Sequence, residues 1–150
     1  MTITSKERRL YQQIIVERSR KPRHFGQTDP VDLSHRLTNS YCGDSIEINL
    51  SLDEQKNQIK DLKFKGSGCA LCLASADLMV ETVKGKTIAQ AQQIIKHFHQ
   101  VMLNRVELNP IYKSLRVVEG AKRYPVKIKC VTLAWHVLKV AIANLDHSRL

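Results

Sequence analysis

The chain has 150 residues, 43% of them hydrophobic and 25% charged, the balance of a soluble globular protein long enough to bury a core without disulfide support. No apolar run is long enough to span a bilayer, and the opening "MTITSKERRL" lacks the apolar core of a secretory signal, so one domain over residues 1–150 in the cytoplasm is expected. The net charge of +10 and the run "RSRKPRH" (Arg18 to His24) suit a nucleic-acid binder, but aromatic residues are only 5% and the cations are dispersed. An acidic protein partner answers the same charge, and nucleic acid is the less expected partner.

Leu10, Tyr11, Ile14 and Ile15 recur at helical spacing before Pro22, which predicts an opening helix. "GQTDP" reads as a turn. "SIEINLSL" alternates, with Ile46, Ile48, Leu50 and Leu52 on one face and Glu47, Asn49 and Ser51 on the other, which predicts a half-buried strand. "IKDLKFK" follows a polar turn and supplies a second strand with Leu62 and Phe64 inward. The two form a hairpin, with a weaker third strand around Leu33 to Leu37. After Gly66 and Gly68 the period changes: "ALCLASADLMVETVKG" predicts a helix ended by Gly85. Thr87 caps another, with Ile88, Ala91, Ile95, Phe98 and Met102 on its apolar face. Asn109 and Pro110 open a short helix or turn. From Pro125 a last helix places Val126, Cys130, Leu133, Val137 and Ala141 on one stripe. Strands first and helices later predict an α+β fold, a small antiparallel sheet with helices packed against one face.

In a reducing setting four cysteines point to metal binding or thiol chemistry rather than to disulfides. Cys42 lies just before the first clear strand, Cys69 between the second strand and a helix, and Cys130 in the first turns of the last helix. Each stands at an element end, where folding can bring thiols to one point, as a zinc or cluster site requires. Asp44 adds a fourth donor, because side chains at i and i+2 of an extended segment project to the same side, and Gly43 between them lets the backbone bend close to a metal. Three thiolates and a carboxylate satisfy tetrahedral zinc, with Lys65, Lys127 and Lys129 to offset the negative charge. The carboxylate is the harder and weaker partner of a soft ion, so it is the donor displaced most easily. Cys72 makes a C-x-x-C with Cys69, but a thioredoxin-like pair needs a βαβ unit and a zinc ribbon needs a second C-x-x-C, so Cys72 reads as a packed bystander. His97 and His99 are two apart on a helix and face different sides, which disfavours a shared metal. Tyr112, Tyr124 and Trp135 read as packing residues.

"LYQQIIVERSRKPRHFG", "CGDSIEINL", "FKGSGCALCLASADLMVETVKGK" and "YPVKIKCVTLAWHVL" resemble, in that order and over nearly the whole chain, the iron–sulfur cluster assembly family of IscU, SufU and the N-terminal domain of NifU. The resemblance implies a SufE/NifU-like fold with Cys42, Asp44, Cys69 and Cys130 as the site. It leans toward SufU, because "FHQVMLNRVELNPIYKSLRVVEG" is an extra segment of the SufU kind. Lys129 also stands where IscU-type scaffolds have a histidine, and an ammonium offers no lone pair to a metal. Lys127 takes the place of the arginine that SufU-like chains carry, keeping the charge without the planar fork.

By that resemblance the protein binds zinc and accepts persulfide sulfur from a SufS-like cysteine desulfurase, with Cys42 as the acceptor. It then serves downstream iron–sulfur assembly or acceptor proteins. The same residues in an IscU-type scaffold hold a transient [2Fe–2S] cluster, and whether the protein is a sulfurtransferase or a non-enzymatic scaffold stays open. A basic zinc-stabilised nucleic-acid-binding module is the reading from another class.

Overall fold

The computed structural model describes residues 3–40 and 42–148, so the export-signal reading falls partly on residues outside the described ones. Helix α1 (Ser5–Arg20) starts at Thr4, whose hydroxyl accepts the Glu7 N–H at 3.1 Å while the Glu7 carboxylate accepts the Thr4 N–H. Tyr11, Ile14 and Ile15 pack against the core as the periodicity predicts. Leu10 instead stands 51% exposed, because α1 is an outer helix with a narrow buried stripe.

Strands β1 (Leu33–Asn39), β2 (Asp44–Leu52) and β3 (Ile59–Ser67) form an antiparallel sheet in the order β1-β2-β3, so the weak third strand is real. Ile46, Ile48 and Leu50 are fully buried on its inner face. At the end of the hairpin Leu52 pairs with Ile59 while Ser51 pairs with Asp61. Lys60 is thus an extra residue in a bulge, and Ile59 and Leu62, three apart, both reach the core.

The inner face is covered by α2 (Ala70–Val83) over β3 and by α5 (Pro125–Ser148) over β1 and β2, while α1 and α3 (Ile88–Met102) lie outside them. Thr87 and Gln90 form the capping box that starts α3. Helices α2 and α5 meet closely at Ser75, whose hydroxyl donates to the Val131 carbonyl and accepts from Trp135 Nε1. Trp135 stacks on Phe98 at 4.2 Å, which joins α3 to α5. Between α3 and α5 the chain makes a three-ten turn (Pro110–Leu115), the single turn α4 (Arg116–Glu119) and a second three-ten turn (Gly120–Arg123). Leu108, Leu115, Val117, Val118 and Ala121 anchor this stretch in the core, and the Asn109 side chain caps it at the Ile111 N–H.

Two expectations are corrected. The outer face of the sheet is not open: Asn49 and Ser51 are 1% and 3% exposed. Residues 24–30 explain this. They join the β3 edge, where Phe64 N–H donates to the His24 carbonyl and Gly26 N–H to the Phe64 carbonyl, and then pass Asn49, whose amide accepts the Thr28 N–H and donates to the Gly26 carbonyl. The second correction concerns the N-terminal end of the last helix's stripe and the tyrosine before it, which was expected to pack. Val126 and Tyr124 are 52% and 64% exposed, because the start of α5 projects past the core, whereas Cys130, Leu133, Val137 and Ala141 are buried.

The basic run is partly structural. Arg18, 8% exposed, donates to Asp77 and to both oxygens of Glu81 at 2.9 Å, and Arg23 reaches Glu81 at 3.4 Å. Asp77 is fully buried and also accepts the His24 N–H at 2.8 Å. Burial works against the Arg18 charge, but the hydrogen bonds to Asp77 and then Glu81 outweigh it and hold its pKa above the ordinary value.

Candidate metal centre

Three element ends converge beside the inner face of the sheet. The β1–β2 connection carries Cys42, whose N–H donates to the Asn39 carbonyl at 3.2 Å. Gly43 follows with φ +72, a left-handed conformation that lets the chain reverse directly into β2. A Cβ there would meet nothing within 4 Å, so glycine serves the turn rather than a close approach. Asp44 is the first residue of β2 and is fully buried. Cys69 is the N-cap of α2, and Cys130 lies in the second turn of α5.

The Sγ atoms of Cys42 and Cys130 are 3.2 Å apart, and these two sulfurs and an Asp44 carboxylate oxygen lie within 4.8 Å of one another. Cys69 borders the cluster but its Sγ is not part of it. Its N–H donates to Asp44 Oδ1 at 2.9 Å, which sets the carboxylate at the N-terminus of α2, where the helix dipole favours negative charge. Asp44 Oδ2 is buried and has no hydrogen-bond partner among the described residues. An ionised oxygen in that state is costly unless a cation or donor meets it. A buried carboxylate oxygen without a partner beside two thiols, with a third half-buried at the rim, is a donor set that fits a soft divalent ion of tetrahedral preference.

Burial pushes the Cys130 thiol well above the ordinary range, and the neighbouring Cys42, Asp44 and Cys69 add to the shift. Without a cation, then, Cys130 holds its proton. Cys72, fully buried one turn into α2, is also pushed up, first by burial and then by the charges at Asp44, Cys69 and Cys42. A thiol so far from its thiolate is inert, in keeping with a packed bystander.

Gly68 was legible only as part of a glycine-rich run, yet it stands against the site: a Cβ there would lie 2.5 Å from Asp44 Oδ1. Gly68→Ala is therefore expected to push the carboxylate off the Cys69 N–H and loosen metal retention, with the fold kept. Chelator competition against the wild type, beside far-ultraviolet circular dichroism, checks both halves; metal held as tightly as before would contradict it.

The cations expected around the site lie elsewhere in part. Lys65 pairs with Glu47 at 3.4 Å and donates to Gln27 on the outer face, so it does not offset the cluster. Lys127 and Lys129 are exposed on the first turns of α5. His97 and His99 do not converge: His97 Nε2 accepts the Asn109 N–H at 3.0 Å with its ring against Tyr112, and His99 is exposed. No helix of the described residues is long and apolar enough to cross a membrane.

The family model of the NifU-like N terminal domain matches residues 10–149. The chain is similar to the iron–sulfur cluster assembly scaffold protein IscU of Streptococcus pyogenes serotype M1, 37% identical over 149 residues that cover 95% of this chain and 91% of the relative. It is also similar to the zinc-dependent sulfurtransferase SufU of Bacillus subtilis, 32% identical over 136 residues covering 90% of each. Among solved structures it resembles an iron–sulfur cluster assembly scaffold for the SUF system from Fervidobacterium islandicum AW-1. The TM-score is 0.80 at 28% identity, covering 93% of this chain and 99% of that one.

Proposed function

Since the chain belongs to the NifU-like N-terminal domain family, we propose that it acts in iron–sulfur cluster assembly as a zinc-bound acceptor of persulfide sulfur from a cysteine desulfurase. The observation that carries the reading is the buried Asp44 oxygen without a partner beside Cys42 and Cys130, together with a lysine, not an imidazole, at position 129. Cys42, Cys69, Cys130 and Asp44 would hold the metal. A reducing, cytoplasmic setting suits these thiols.

Zinc, when bound, supplies the charge that keeps the thiols deprotonated and shielded. Docking of the desulfurase would displace one of the four donors, and a Cys42 thiolate freed in that way would be the nucleophile, while Asp44 would be the hardest and weakest partner of a soft ion in the set. Cys42 lies on the turn that the left-handed Gly43 reverses into β2. Its thiolate attacks the outer sulfur of the desulfurase's cysteine persulfide. A new S–S bond forms on Cys42, the partner's S–S bond breaks, and its electron pair leaves on the partner's cysteine, which takes up the persulfide proton. No electrons are gained or lost overall. The loaded Cys42 passes its sulfur to downstream iron–sulfur assembly or acceptor proteins.

Because Cys130 holds its proton in the metal-free protein, zinc uptake is expected to release protons, and affinity to fall as the pH falls from about 8 to about 6. Competition titrations across that range check the sign; an affinity independent of pH would contradict it.

The relative named as a scaffold at 37% identity favours a second reading, in which the same four residues assemble a transient [2Fe–2S] cluster as cargo. Elemental analysis of protein prepared in air and without oxygen separates the two. About one tightly held zinc per chain in both preparations supports the acceptor. Iron and sulfide appearing only without oxygen, with little zinc, supports the scaffold.

A further inference from the structure

We propose that Ser75 is a positioning residue for the metal centre, its hydroxyl setting the separation of α2 and α5 and with it the place of Cys130 among the other donors. The inference rests on the reading above in which Cys42, Asp44, Cys69 and Cys130 hold zinc. A serine inside a helix commonly turns its hydroxyl back to a carbonyl of its own helix or out to solvent. Ser75 lies fully buried six residues beyond Cys69 and does neither. It donates across to the Val131 carbonyl at 2.6 Å and accepts from Trp135 Nε1 at 3.1 Å, so both its donor and its acceptor are met by α5. Val131 directly follows Cys130, so the shorter bond grips the α5 backbone one residue past the thiol.

The other two thiol-bearing residues are tied to their surroundings through their own N–H groups, Cys42 to the Asn39 carbonyl and Cys69 to Asp44 Oδ1. Cys130 lies within α5, where the backbone N–H is committed to the helix, so its place relative to the other donors follows from where α5 lies. Cys69 heads α2 and Cys130 rides on α5, and the Ser75 hydroxyl joins those two helices beside the site. The side chain is small enough to let the helices approach, and the hydroxyl gives the approach a fixed length. Donors already held in place need not be ordered by the metal when it binds.

Wild type, Ser75→Ala and Trp135→Phe are compared for zinc affinity by competition with a chelator, with Cys130→Ser and Cys130→Ser/Ser75→Ala beside them and circular dichroism to follow the fold. Each single variant loses one hydrogen bond of the same bridge, but only Ser75→Ala loses the bond to the α5 backbone. Ser75→Ala is expected to hold zinc about tenfold more weakly, the lower end of what partners of metal ligands contribute, with the fold kept. Trp135→Phe is expected to stay within about twofold of wild type, because the bond between Ser75 and Val131 survives it. In the Cys130→Ser background Ser75→Ala is expected to change zinc affinity no further. A purely structural bridge would weaken both single variants alike or neither, and either result would overturn the proposal. So would the same loss without the Cys130 thiol, or a Ser75→Ala protein that does not fold. A wild type that binds no zinc would overturn the zinc reading itself, which is a different result from a zinc-loaded wild type whose Ser75 variant behaves as it does.

Discussion

Cys42→Ser is expected to end sulfur acceptance while leaving the fold in place. Serine keeps the size of the side chain, and Gly43 still reverses the turn, but a hydroxyl at neutral pH does not attack a persulfide as a thiolate does. Its zinc retention is also expected to fall, since one of three sulfur donors is lost. Cys72→Ser is the contrast. Its thiol is fully buried, protonated and outside the tight cluster, so sulfur transfer and zinc content are expected to stay close to wild type. The assay is desulfurase turnover with cysteine, read as sulfur bound per acceptor chain. Transfer that persists in Cys42→Ser, or that disappears in Cys72→Ser, would move the acceptor role to the C-x-x-C.

The second large effect lies far from the metal. Arg18→Leu is expected to cost about 3 to 5 kcal/mol of stability, because among the described residues it leaves the buried Asp77 carboxylate with the His24 N–H as its one partner. The ion pair ties α1 to α2, and Asp77 also holds the start of residues 24–30 through the His24 N–H, so the loss is felt in all three. The double variant Arg18→Leu/Asp77→Leu removes both charges and is expected to recover much of the loss. Urea unfolding with saturating zinc in every sample checks this, since metal binding itself raises apparent stability. A single-variant cost under about 1 kcal/mol would mean that water or rearrangement meets the freed carboxylate.

Much of this architecture is legible in the sequence because its periods are clean. Ile46, Ile48 and Leu50 alternate against a buried sheet face, and Ile88, Ala91, Ile95 and Phe98 keep helical spacing on α3. The thiols were traceable for a related reason: each stands at an element end, and the element ends converge. What escaped depends on contacts between residues distant in the chain. Arg18 reads as one cation of a basic run, and only the docking of α1 on α2 turns it into a buried partner of Asp77. Asn49 reads as an exposed strand residue until residues 24–30 cross over it. Val126 shows the opposite error, a residue in phase with the buried stripe but beyond the core that the stripe meets.

Mass mapping of the protein after incubation with desulfurase and cysteine, under conditions that trap persulfides by alkylation, tests the central claim most directly. One added sulfur on the peptide containing Cys42, in protein that still carries its zinc, is the expected result. Sulfur found instead on Cys69 or Cys130, or no persulfide while iron and sulfide accumulate at the site, would contradict a zinc-bound acceptor that works through Cys42.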